Sequence, residues 1–217
     1  MIKPPMFITF EGIDGSGKTT QAKLFAKYLS DSLGAETVVF VREPGGTGIS
    51  EKIRAIILDT ANYAMTGMAE TLLYAAARAQ LVGEVIKPAL ESGKTVICDR
   101  FLDSSVAYQG AARGIRYADV ETINSFAVGG LTPDMTFLIA AGPELRRERL
   151  EAKNKNGGFE PDRLESESAG FFLKVADGYA ALAERYPERI AVIDASGGIS
   201  DIHARIINAF NEKYKGK

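Results

Sequence analysis

Five short apolar runs rich in β-branched and aromatic side chains punctuate the chain, at residues 6–10, 37–41, 95–98, 135–139 and 190–193. Runs of this length and composition predict buried strands. The segments between them follow a helical period instead. Ala22, Phe25, Ala26, Leu29 and Leu33 share one face of a helix that Gly34 closes, and such a stripe belongs to the core. Strand and helix alternate throughout, which predicts an α/β fold with a central five-stranded parallel sheet and helices on both faces. No internal repeat interrupts the pattern. Residues 153–162, Lys-Asn-Lys-Asn-Gly-Gly-Phe-Glu-Pro-Asp, form the one stretch dense in turn-forming residues, and it is expected to be a short mobile lid.

Composition narrows the class of partner. With 217 residues, 46% hydrophobic and 25% charged, the chain has the balance of one compact domain spanning 1–217. Its 26 basic and 28 acidic side chains leave a formal charge of −2, so no overall field attracts nucleic acid or an anionic membrane, and phosphate binding has to be local. Cys98 is the sole cysteine and the chain starts without a long apolar signal segment, which points to a reducing, cytoplasmic setting. Its packing in an apolar strand suits Cys98 better than nucleophilic chemistry, and the lone His203 makes no metal site.

Candidate chemistry begins after the first run, where Gly12-Ile13-Asp14-Gly15-Ser16-Gly17-Lys18-Thr19 satisfies the pattern Gly-x-x-x-x-Gly-Lys-Ser/Thr between a strand and a helix. The glycines allow backbone amides to turn toward phosphates, the helix N-terminus adds partial positive charge, and Lys18 supplies a cation for the outer phosphates. Thr19 is expected to ligate magnesium. The guanine-reading string Asn-Lys-x-Asp is absent; the nearest, Asn154-Lys155-Asn156-Gly157, lacks the acid. Two further strands end in charge, with Asp99-Arg100 after the third and Arg42-Glu43 after the second, at the sheet edge where ligands bind. Asp99 suits magnesium or its water shell and Arg100 an acceptor phosphate, the alternative being a surface ion pair. Tyr74 and Arg78, four apart on a predicted helix, suit either stacking on a nucleotide base or plain packing.

Taken together, these segments resemble thymidylate kinase from Phe7 to about Ser196. The resemblance is carried by Phe-Glu-Gly-Ile-Asp-Gly-Ser-Gly-Lys-Thr-Thr at 10–20, Arg-Glu-Pro-Gly-Gly-Thr at 42–47 and Asp-Arg-Phe-Leu-Asp-Ser-Ser-Val-Ala-Tyr-Gln-Gly at 99–110. It implies a P-loop NTPase fold and transfer of the γ-phosphoryl of ATP to dTMP with magnesium, giving dTDP and ADP for dTTP synthesis. Tyr74 would then stack on thymine, Arg78 and Gln109 would bond the base edge, and Ser105 and Tyr108 would line the pocket. Arg100 would hold the acceptor phosphate with Arg42 and Arg54 in support, Asp14 would meet the 3′-hydroxyl, and Glu43 would fix the site near the P-loop. A P-loop without arginine resembles the bacterial type, whose lid brings the basic residues: here Arg147, Arg149, Lys153, Lys155 and Arg163 within roughly 147–165. Arg149 or Arg163 would stabilise the transferring phosphoryl group. Arg146 and Glu148 are expected on a solvated face, and Tyr179 in the core. A homodimer is implied by resemblance alone. A kinase with another nucleoside or nucleotide acceptor is the nearest alternative, and an ATP-driven switch a more distant one.

Overall fold

The computed structural model describes residues 5–155 and 161–214. Part of the expected lid, residues 156–160 together with the side chains of Lys153 and Lys155, lies outside the described residues. Strands β1 (Phe7–Glu11), β2 (Val38–Arg42), β3 (Thr95–Asp99), β4 (Met135–Ala140) and β5 (Ile190–Asp194) form one parallel sheet in the order β2-β3-β1-β4-β5. Each lies where the apolar pattern predicts it, with the ladder running past the pattern at its carboxyl end. There the last rung is charged in four of the five strands: Glu11, Arg42, Asp99 and Asp194. Backbone pairing does not require an apolar side chain, and the carboxyl edge of a parallel sheet is where polar groups meet ligands.

Register then fixes what emerges side by side. Phe10 and Arg42 both pair with Asp99, and Glu11 pairs with Leu138. The segments following β1, β2 and β3, which begin at Gly12, Glu43 and Arg100, therefore leave the sheet at one edge.

Nine α-helices are found among the described residues: α1 (Lys18–Leu33), α2 (Gly48–Leu58), α3 (Gly67–Leu81), α4 (Lys87–Glu91), α5 (Leu102–Ser105), α6 (Tyr117–Val128), α7 (Pro143–Lys155), α8 (Ala169–Arg185) and α9 (Ile199–Tyr214). A π-helical turn, Val82–Ile86, joins α3 to α4, and a second π-helical stretch, Val106–Ala112, follows α5. Side chains alternate across β1, so Ile8 and Phe10 join Phe25, Leu29, Phe137, Ile206 and Phe210 beneath α1 and α9, while Phe7 faces Val96, Ile86 and Phe101 on the other side. The stripe expected on α1 is buried at Ala22, Phe25, Ala26 and Leu29, with Leu33 packed at its rim. Phe25 meets the rings of Phe137 and Phe210 at 5.3 and 5.2 Å; burying one such side chain contributes about 2 to 3 kcal/mol. Side-chain caps from Thr47, Thr66 and Ser168 start α2, α3 and α8, each stabilising its helix by about 1 kcal/mol. Among the described residues, no helix is long and apolar enough to cross a membrane.

Candidate active site

The turn from β1 into α1 is shaped by backbone that few side chains tolerate. Gly12 has φ +139°, and a Cβ there would lie 2.6 Å from the Ile139 carbonyl oxygen. Gly17, at φ 89°, caps α1 without any side-chain bond, so the first amides of the helix stay available to an anion. Lys18 is buried and donates to Asp99 Oδ1 at 2.5 Å, and the Thr19 hydroxyl donates to Asp99 Oδ2 at 2.5 Å. Burial and the neighbouring Arg100 pull the Lys18 ammonium down from its ordinary value, with Asp99 and Asp14 opposing them. Burial alone would raise the Asp99 carboxyl, but Lys18 and Thr19 hold it below the usual range. Ser16 Oγ is buried without a hydrogen-bond partner among the described residues.

Two arginines of α7 reach this loop. Arg149 donates to the Ser16 carbonyl at 2.6 Å and to that of Ala195 at 2.8 Å, and with residues 13–19 it lines a cleft over the loop. Arg146 departs from the expectation of a solvated face: half-buried, it donates to the Asp14 carbonyl at 3.1 Å and lies 3.8 Å over the Phe172 ring. Glu148 is exposed as expected, and Arg147 points outward beside Glu151. Arg163 sits elsewhere, donating to Glu70 Oε2 at 2.5 Å and to the Ile57 carbonyl at 2.8 Å. Of the two lid arginines weighed from the sequence, the fold brings Arg149 to the P-loop and uses Arg163 to tie the segment after α7 to α2 and α3.

A second pocket opens beside the loop, lined by Asp14, Glu43, Arg54, Tyr74, Arg100, Ser105, Tyr108 and Gln109 among others. Asp14 lines both this pocket and the P-loop cleft. Arg100, at φ 71°, is the one non-glycine residue of positive φ among the described residues, a conformation costing about 1 to 3 kcal/mol that surrounding contacts must hold. Its amide donates to the Phe10 carbonyl at 2.9 Å, and the Cys98 thiol, buried as expected, donates to its carbonyl at 2.9 Å. The guanidinium bonds Asp14 at 2.7 Å and the hydroxyls of Ser104, Tyr108 and Tyr179 at 3.2 Å each. Burial would raise the Asp14 carboxyl, but Arg100 and Lys18 draw it down to about 2.

Arg78 lies behind this pocket, bonding Glu43 at 2.7 Å, Ser105 at 3.0 Å, Asn124 at 2.5 Å and the Phe101 carbonyl at 3.0 Å. It thereby anchors two residues that line the pocket. Arg54 lines the pocket and donates to the Pro44 carbonyl, whereas Arg42 pairs with Glu51 and braces the 42–47 loop from outside the lining.

Sequence reasoning passed over Glu11. Its buried carboxylate accepts the Phe101 amide at 2.7 Å, the Ser104 hydroxyl at 2.5 Å and the Tyr179 hydroxyl at 2.8 Å, positioning the loop that carries Arg100. The signal was a carboxylate ending a strand otherwise free of charge. Tyr179 is in the core, as expected, but its hydroxyl belongs to this polar network.

Glu43 carries a pH dependence. Burial raises its carboxyl from 4.5 to about 7 against the pull of Arg78, and its Oε1 has no partner among the described residues. The fold favours the neutral acid, so between those values the native chain binds more protons than the unfolded one and stability falls as pH rises. The difference between 4.5 and about 7 corresponds to about 3 kcal/mol. Thermal melts of wild type and Glu43→Gln from pH 4.5 to 8 should diverge, the wild type losing roughly that amount relative to the variant; parallel curves would contradict the assignment.

Comparison with known proteins agrees with this geometry. The profile describing thymidylate kinases matches residues 10–206. The chain belongs to the thymidylate kinase family. The family member from Geotalea uraniireducens (strain Rf4) is 48% identical over 204 residues, covering 94% of this chain and 95% of that protein. That from Geobacillus sp. (strain WCH70) is 44% identical over 211 residues, covering 97% and 98%. A solved thymidylate kinase from Ehrlichia chaffeensis superposes with a TM-score of 0.75 at 35% identity, covering 94% of this chain and 98% of the other. For this family member, the five-stranded parallel sheet and the P-loop stand where the sequence resemblance implies them.

Proposed function

We propose that the chain is a single kinase domain that transfers the γ-phosphoryl of ATP to dTMP, giving dTDP and ADP for dTTP synthesis. Family membership supports the reaction, and one geometric observation carries the mechanism: Asp14 belongs to the P-loop cleft and to the acceptor pocket at once, so two nucleotides bound there would bring their phosphates together. In the acceptor pocket Tyr74 provides a face for the thymine ring, Gln109 reaches its polar edge, Ser105 and Tyr108 form the wall, and Arg78 braces Glu43 and Ser105 from behind that wall. Asp14 is in reach of the sugar, with Glu43 behind it. Arg100, with Arg54 nearby, holds the acceptor phosphate through a planar fork that matches phosphate oxygens. The amides of Gly12 to Thr19 take the ATP phosphates, Lys18 neutralises the outer ones, and Arg149 faces the same cleft. Catalysis is then positioning together with neutralisation of the charge that spreads over the transferring group.

Magnesium fits the oxygen donors present. Thr19 and Asp99 would hold it, directly or through water, in a loop whose Ser16 hydroxyl is buried without a partner among the described residues. Among the described residues no cluster of three acidic, histidine or cysteine side chains could hold a metal, so phosphate oxygens would complete its shell. When bound, it supplies positive charge to the phosphate oxygens.

An acceptor panel tests this reading: ADP release measured with dTMP, dUMP, dCMP, dGMP, AMP and thymidine offered separately. Highest kcat/KM with dTMP is expected; a better acceptor elsewhere in the panel would refute it.

The setting we infer is cytoplasmic, and the active form a homodimer. Its support is an apolar surface on the packed pair α2 and α3, where Ile49 and Ile56, seven apart, and Met68 and Leu72, four apart, are all 44% exposed or more. Sedimentation should give about twice the 23.4 kDa chain mass, and Leu72→Arg should yield monomer; a monomeric wild type would refute the dimer.

A further inference from the structure

Glu70, on α3 one helical turn before Tyr74, is fully buried and does more than anchor Arg163. Four N–H groups converge on its carboxylate: Gln109 Nε2 at 2.9 Å, Arg113 Nε at 3.2 Å, Arg113 Nη2 at 3.0 Å and Arg163 Nη2 at 2.5 Å. Burial would raise this carboxyl, but the bonds from Arg113, Gln109 and Arg163 outweigh it and hold it below its ordinary value. An ionised carboxylate only accepts hydrogen bonds, so the Gln109 amide has to present its nitrogen to Glu70. Its oxygen, Oε1, accepts no hydrogen bond among the described residues and is the atom left for the pocket that Gln109 lines.

We propose that Glu70 sets the preference of the acceptor pocket for thymine over cytosine by holding the Gln109 amide with its oxygen toward the base. The proposal rests on the dTMP-phosphorylating reading. Thymine and uracil present a donor, N3–H, between two carbonyls; cytosine presents a bare N3 beside an amino group. An acceptor fixed at that edge pairs with the first pattern and leaves a lone pair facing a lone pair in the second. Were the amide free to turn, its NH2 would serve cytosine equally well. Glu70 is thus a positioning residue that touches no substrate and acts through Gln109.

Glu70→Gln keeps the shape and allows the residue at 70 to donate, which releases Gln109 to turn. The ratio of kcat/KM for dTMP to that for dCMP should fall about 10-fold. The dTMP-to-dUMP ratio should hold, because those bases share the same N3–H edge, and KM for ATP should stay at its wild-type value. Glu70→Asp is the second variant: it retains the charge that Arg113 and Arg163 require while drawing the carboxylate away from Gln109, and it should shift the dTMP-to-dCMP ratio in the same direction. Thermal melts establish that each variant is folded. A folded variant that keeps the wild-type dTMP-to-dCMP ratio would overturn the proposal, as would equal losses against dCMP and dUMP, which mark general damage to the pocket. Wild-type enzyme showing no preference for dTMP over dCMP would instead overturn the functional reading on which the proposal stands.

Discussion

Replacing Lys18 by alanine is expected to lower kcat about a thousand-fold while the folded state persists. Lys18 is the only cation within residues 12–19, and its ammonium is buried at the start of α1, where low polarisability makes a fixed charge count for more than it does in water. Its pairing with Asp99 at 2.5 Å holds it ready, so the charge need not be reorganised as negative charge spreads over the transferring group. Asp99 keeps Thr19 as a partner in the variant, which limits the structural loss. Steady-state kinetics with circular dichroism on the same preparation checks the outcome. A folded Lys18→Ala enzyme turning over at near wild-type rate would remove the P-loop from the mechanism.

Replacing Arg100 by methionine should have the second-largest effect, concentrated on the acceptor. A buried, hydrogen-bonded charge whose partner is deleted typically costs at least about 2 kcal/mol, or upward of about 30-fold in kcat/KM for dTMP. Methionine preserves much of the apolar stem and gives up the guanidinium, which lies 5.2 Å from the Tyr108 ring centroid. Asp14 would lose the partner that does most to hold its carboxyl down near 2. KM for ATP should move far less than KM for dTMP; equal losses for the two substrates would place Arg100 in the structure of the P-loop and not at the acceptor.

The parts of this site legible in the sequence are those encoded locally. The loop from Gly12 to Thr19 needs glycines where φ is positive and a helix immediately after, and both requirements are written in consecutive residues. Asp99-Arg100 and Arg42-Glu43 were legible because charge at the end of an apolar run marks the carboxyl edge of a sheet. What stayed hidden depends on partners remote in sequence. Glu11 is defined by Phe101, Ser104 and Tyr179, the last 168 residues away, and no local pattern separates a buried carboxylate of this kind from a solvated one. Arg146 was misread because α7 has few apolar residues to mark its inward face; the Asp14 carbonyl and the Phe172 ring set that face instead. For Arg163 its place among the basic residues of the expected lid suggested phosphate contact, but its contacts to Ile57 and Glu70 belong to elements about 100 residues earlier.

One experiment reaches the central claim directly: incubation of the protein with magnesium, dTMP and ATP labelled in the γ-phosphoryl group, followed by separation of the products. Label recovered in dTDP, in equal amount to the ADP formed and dependent on dTMP, is the predicted result. Label released as inorganic phosphate at a rate that dTMP does not change would contradict it.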